Sequence, residues 1–138
     1  MEDIELAKQK LKEDKVSLVI VKDSHLLFKT KAEGIHGLIR AIKELKNNLT
    51  GASVADIIVG KAAALLCAYA NITSVYAVTM SESGLEVLRK HGRSYNFETL
   101  VPTILSRDKS CKCPLEKLVE DVTETEEAYG RIMQFVRR

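Results

Sequence analysis

A chain of 138 residues, 46% hydrophobic and 29% charged, has the length of one ordinary domain and enough apolar material for a single core. Its net charge of +2, without a dense basic block, argues against nucleic acid or an anionic membrane surface as partner, and no apolar run approaches the roughly 20 residues of a membrane span. Three cysteines, an odd number, suit a reducing cytoplasm better than a disulfide scaffold, and the charged start MEDIELAKQKLKEDK does not have the pattern of a signal peptide.

In chain order, Ile4, Ala7 and Leu11 share one side of residues 3–13, which predicts an amphipathic helix. Residues 16–21 are an unbroken apolar strand. The turn chemistry of Lys22-Asp23-Ser24 and a second strand over 25–29 complete an antiparallel hairpin. Ile35, Leu38, Ile39, Ile42 and Leu45 fall at helical spacing, and Asn47-Asn48 stops that helix. Residues 54–59, rich in β-branched side chains, read as a buried strand. Gly60 breaks the run, and the Ala/Leu segment 61–69 is helix-prone and almost uncharged. A further strand covers 74–80. Ser83 with Glu86 then makes a capping box, and Gly92 ends the helix it starts. Tyr95, Phe97, Thr99 and Val101 alternate as in a half-buried strand that stops at Pro102. Residues 103–112 are polar, basic and expected to be mobile. Pro114 opens a helix over 115–122, and Thr123 with Glu126 caps a last helix running towards Phe135.

The resulting order, α-β-β-α-β-α-β-α-β followed by one or two helices, predicts parallel strands from Val54 onward, with helices on both faces of the sheet. This order resembles the cytidine-deaminase-like fold, a three-layer α/β/α sandwich around a five-stranded mixed sheet, here expected as one domain over residues 1–138. The segments IIVGKAAALL and CPLEKL look like an uncharacterised prokaryotic family of unknown function grouped with that fold. In active zinc deaminases the helix after the third strand opens with His-x-Glu or Cys-x-Glu, and the next with Pro-Cys-x-x-Cys. Matching elements puts Gly60-Lys61-Ala62 at the first motif and Met80-Ser81-Glu82-Ser83-Gly84 at the second. The ligands, the glutamate proton shuttle and both later cysteines are absent, so the resemblance implies the fold without the zinc hydrolysis. No cofactor is expected.

A pocket on such a fold survives the loss of its metal. The resemblance implies that the helices opening at Lys61 and Ser83 begin at one crevice, at the carboxyl ends of the parallel strands. Free amides at Gly60, Lys61 and Ala62, the Lys61 amine and the Ser81 and Ser83 hydroxyls would cradle a phosphate or carboxylate. Asp56 within the strand would orient the ligand or the lysine, and Arg107 and Cys113 would close the site. The plainer readings are a Lys61 stem covering the helix start with its amine in water, and an Asp56 turned to solvent or held by backbone amides. Lys61 is not part of a nucleotide-triphosphate loop, since Gly51 lies too far upstream and Ala62 stands where Ser or Thr is required.

Cys113 directly precedes a helix and lies near Arg107, Lys109 and Lys112, which favours the thiolate; Cys111 stands beside it, and a bond between the two would be strained. Cys67 sits in the Ala/Leu helix as a small core residue. His25, His36 and His91 form no triad pattern. The leading expectation is a cytoplasmic binding protein for a small anionic or nucleotide-like ligand, compatible with a homo-oligomer. The alternatives are a divergent enzyme using Lys61 or Cys113, and a thiol redox or metal sensor built on Cys111, Cys113 and Cys67.

Overall fold

The structure is a computed structural model that describes residues 1–106 and 108–137. The elements follow the predicted order: α1 (Asp3–Glu13), β1 (Leu18–Lys22), β2 (His25–Thr30), α2 (His36–Leu45), a short 3₁₀ turn (Lys46–Leu49), β3 (Ser53–Val59), α3 (Lys61–Tyr69), β4 (Ser74–Ser81), α4 (Glu82–Lys90), β5 (Ser94–Val101), α5 (Pro114–Leu118) and α6 (Thr125–Val136). The β1–β2 turn holds Asp23 and Ser24 at positive φ (50° and 66°). Both residue types tolerate the left-handed conformation that a tight hairpin needs. Their amides donate to the Asp3 carboxylate at 2.9 Å each, which ties the hairpin to the start of α1.

The strands form one mixed sheet in the order β2-β1-β3-β4-β5. β1 is antiparallel to β2 and β3, whereas β3, β4 and β5 are parallel. On one face, Ala7 and Leu11 of α1 pack with Val19, Val21, Ala55 and Tyr76. On the other, Ile20, Val54, Val75 and Ala77 join a larger core with α2, α3, α4 and α6. This is the α/β/α sandwich with a five-stranded mixed sheet. Burial peaks in α3, where residues 62–68 are all buried. Such a helix is covered all round rather than along one stripe, which explains why its sequence carries no polar face.

Several local expectations give way to tertiary placement. β4 continues to Ser81, so Ser81, not Ser83, caps α4: its buried hydroxyl accepts from the Gly84 amide at 3.0 Å. Glu86 turns to Arg89 instead of reaching back to a cap. The Thr123 box also fails to form, because α6 starts at Thr125 after an extended Glu124 with no side-chain cap. β5 is an edge strand exposed along most of its length, with Phe97 half-buried. In the segment after it, Leu105 and Lys112 bridge, Ser106 N–H donates to Cys111 C=O at 2.8 Å, and Cys113 N–H donates to Ile104 C=O at 2.9 Å. Among the described residues, no helix is long and apolar enough to cross a membrane.

Candidate functional site

β3 ends at Val59, and Gly60 follows in an extended conformation (φ −99°, ψ −166°) as a cap with no side chain to offer. The first amides of α3 therefore need an acceptor from elsewhere. Glu116, the third residue of α5, supplies it. Its Oε1 accepts from Lys61 N–H at 2.7 Å and its Oε2 from Ala62 N–H at 2.9 Å. Pro114 at the first turn of α5 fixes the direction from which Glu116 arrives, and the residue is only 4% exposed. A Cβ on Gly60 would fall on that carboxylate, so the bare Cα is what lets it approach. The Lys61 side chain makes the opposite connection, its Nζ donating to Glu120 C=O at 2.9 Å.

The start of α4 closes the same corner. A Cβ on Gly84 would stand 3.0 Å from the backbone of Gly60 and Val59. The two helix N-termini thus touch, and Ser83 Oγ lies 3.2 Å from Ser81 Oγ. Gly60, Lys61, Ala62, Ser81 and Ser83 are brought together at the carboxyl ends of β3 and β4. The carboxylate seated on the α3 amides is the chain's own.

The remaining candidates lie apart from these contacts. Asp56 pairs in the sheet with Leu18 and Ala77 and is half-buried. Its Oδ1 accepts from Ile57 N–H at 2.7 Å. The Lys61 amine that it was expected to orient is instead engaged by Glu120 C=O, because α5 and its following turn pass directly over the start of α3. Burial pushes the Asp56 carboxyl up to about 7, against the opposing pull of the Ile57 and Ile58 amides. Burial, helped by the Asp56 charge, also pushes the Cys67 thiol up, and Cys67 is a core residue at 1% exposure. Cys113 is the cap residue of α5, half-buried, on the segment that delivers Glu116. Cys111 is exposed, and the Ser106 and Ser110 hydroxyls hold its thiol below the usual range. All three cysteines are free. Arg107 lies outside the described residues.

The donor set at the corner does not fit the deaminase zinc. It consists of backbone amides, two serine hydroxyls and a lysine, while the carboxylate present is already accepting two hydrogen bonds. Among the described residues, no group of three His, Cys, Asp or Glu side chains could hold a metal ion. Sequence reasoning missed Glu116 altogether. It stands 55 residues from Lys61, and the only trace of it was the position of its hexapeptide CPLEKL in the resemblance.

Comparison with known proteins bears on the family and the fold. A family profile described as TM1506, a domain of unknown function (DUF1893), matches residues 6–136. The crystal structure of a DUF1893 family protein (TM1506) from Thermotoga maritima superposes with a TM-score of 0.88 at 26% identity, over 96% of this chain and 88% of that one. RibD from Acinetobacter baumannii superposes with a TM-score of 0.50 at 23% identity, over 70% of this chain and 33% of its own. The apo dCMP deaminase of cyanophage S-TIM5 gives a TM-score of 0.49 at 14% identity, over 69% and 93%. No curated protein matches the chain.

Proposed function

Because the chain belongs to the DUF1893 family and has a cytidine-deaminase-like fold, we propose that it is a non-hydrolytic binding protein for a small anionic, nucleotide-like ligand, working as one cytoplasmic domain. The observation that carries the reading is the Glu116 carboxylate, held by the Lys61 and Ala62 amides at 2.7 and 2.9 Å. Two amides at a helix N-terminus that take one carboxylate in this way have the geometry to take another, or a phosphate. The ligand's acid group replaces Glu116 against the bare Cα of Gly60, beside the start of α4 that carries Ser81 and Ser83. Lys61 follows, exchanging Glu120 C=O for the ligand. Asp56 is the carboxyl that orients the rest of the molecule from β3, and Cys113, at the cap of α5, closes the site together with Arg107 of the same stretch of sequence.

The test is amide NMR and thermal unfolding of the full chain with inorganic phosphate and with a nucleoside monophosphate. Glu116→Ala should raise the phosphate-induced shifts at Lys61 and Ala62 and the gain in melting temperature above those of the native chain. Adding Lys61→Ala should remove most of that gain. Should Glu116→Ala fold poorly, Glu116→Gln keeps the shape and weakens the internal competitor. If the Lys61 and Ala62 amides stay unmoved by phosphate in the native chain and in every folded variant, the reading is wrong.

A further inference from the structure

At the far end of α3 from Lys61, about 12 Å along the helix, lies a cavity of about 330 Å³ that the corner does not use. It opens between the last turn of α2, the 3₁₀ turn after it, the end of α3 and the outer helix α6. Lys43, Lys46, Thr50, Tyr69, Asn71 and Tyr129 provide its polar and aromatic wall. Among the described residues, no Asp or Glu lines it. Among the described residues, neither lysine has an ion-pair or hydrogen-bond partner for its amine. Lys43 in the last turn of α2 complements that helix's carbonyl end, which accounts for one cation. Lys46, the cap residue of α2, stands at the same carbonyl end with φ at +49°.

Asn71 on the same wall also has a positive φ, +61°. Asparagine tolerates that conformation and here ends α3, whereas for Lys46 a positive φ costs about 1 kcal/mol or more, and such residues cluster where a site has to be shaped. The Tyr69 and Tyr129 rings are stacked, 4.3 Å between centroids and 7° between planes, and join α3 to α6 at the cavity's edge. The volume lies in the range of small-molecule sites, at its lower end. Two cations without counter-charges, amide and hydroxyl donors and a rigid aromatic surface define one kind of guest.

We propose that this cavity binds a small aromatic anion, a flat ring carrying a phosphate or carboxylate group. Lys43 and Lys46 neutralise the acid group, Thr50 and Asn71 hydrogen-bond it, and the Tyr69–Tyr129 pair takes the ring. This site is independent of the Glu116 corner and stands whether or not that corner takes a ligand.

The experiment is amide NMR of the full chain titrated with phenyl phosphate, with inorganic phosphate and phenol run separately. Phenyl phosphate should give saturable shifts at Lys46, Ala70 and Asn71 and bind more tightly than either fragment. The Lys43→Ala/Lys46→Ala double variant, changed only at exposed positions, should weaken it about tenfold or more. Tyr129→Leu should weaken phenyl phosphate while leaving inorganic phosphate unchanged at these amides. The proposal is overturned if the shifts centre on Lys61, Ala62 and Gly84, if they fail to saturate, or if a folded double variant binds as the native chain does.

Discussion

A carboxylate buried as deeply as Glu116 would cost several kcal/mol without partners, and the first amides of α3 would be orphaned without an acceptor. Each deficit is met by the other. Glu116→Gln should therefore destabilise the fold by about 1–3 kcal/mol, because the amide side chain has one acceptor oxygen for two donors and turns an N–H towards the second. The measurement is a lower urea midpoint at unchanged slope. Gly60→Ala should cost a similar amount by a different route, since its Cβ lands on the same carboxylate. Once Glu116 is removed that clash is gone, so the two costs should fall clearly short of additive in the Gly60→Ala/Glu116→Ala double variant. Asp56 makes a second prediction at this scale. Its folded pKa of about 7 lies above the ordinary 3.8, so its contribution to stability is fully present below about 4 and is lost as pH rises through about 7. Asp56→Asn should gain on the native chain across that window, by at most about 1.4 kcal/mol per pH unit. The gain should be smaller than that limit because the carboxyl is half-buried, and level above it. Urea midpoints of both proteins from pH 4 to 8 check this, and a constant gap would count against it.

The elements show which features a sequence can carry and which it cannot. α3 was legible to its boundaries, because a glycine with no side chain starts it and an almost uncharged Ala/Leu run fills it. The hairpin and the Pro114 start of α5 were legible for the same local reason: each is decided by residues within a few positions of one another. The two capping boxes were equally local patterns, and both were overruled. Where the sheet carries β4 on to Ser81, Ser83 is already inside the helix, and its match to the pattern has no backbone to serve. The convergence of the α3 and α4 starts was legible through topology, since consecutive parallel strands put successive helix N-termini at one end of the sheet. What fills that meeting point was not. The acid comes from a helix of five residues that no local pattern relates to the start of α3, 55 positions away. The cavity of Lys43, Lys46 and Tyr129 was hidden similarly, its wall being assembled from α2, the 3₁₀ turn, α3 and α6, which no spacing relates.

At the scale of the whole molecule, α5 and α6 finish the core, and are not an addition to a complete sandwich. The sheet can cover one side of α3, yet residues 62–68 are buried on every side. α2 and α4 flank it, and the remaining cover comes from Val119 and Val122 after α5 and from Ala128, Ile132 and Met133 of α6, each at 6% exposure or less. A chain ending at Val101 would leave those Ala and Leu side chains against water and would also strip the Glu116 cap from the same helix. A short helix with no polar face does not stand in water on its own propensity. Burial of five apolar side chains, at about 1.5–3 kcal/mol for the larger ones, is comparable to the whole stability of an ordinary domain. The 1–101 chain should thus lack a cooperative urea transition by far-UV circular dichroism and should associate on size exclusion, while the full chain unfolds in one step. If 1–101 instead unfolds cooperatively as a monomer, the sheet with α1 to α4 is self-sufficient. Glu116 would then be a latch on a finished domain, and the cost of its removal would be confined to α5 and α6.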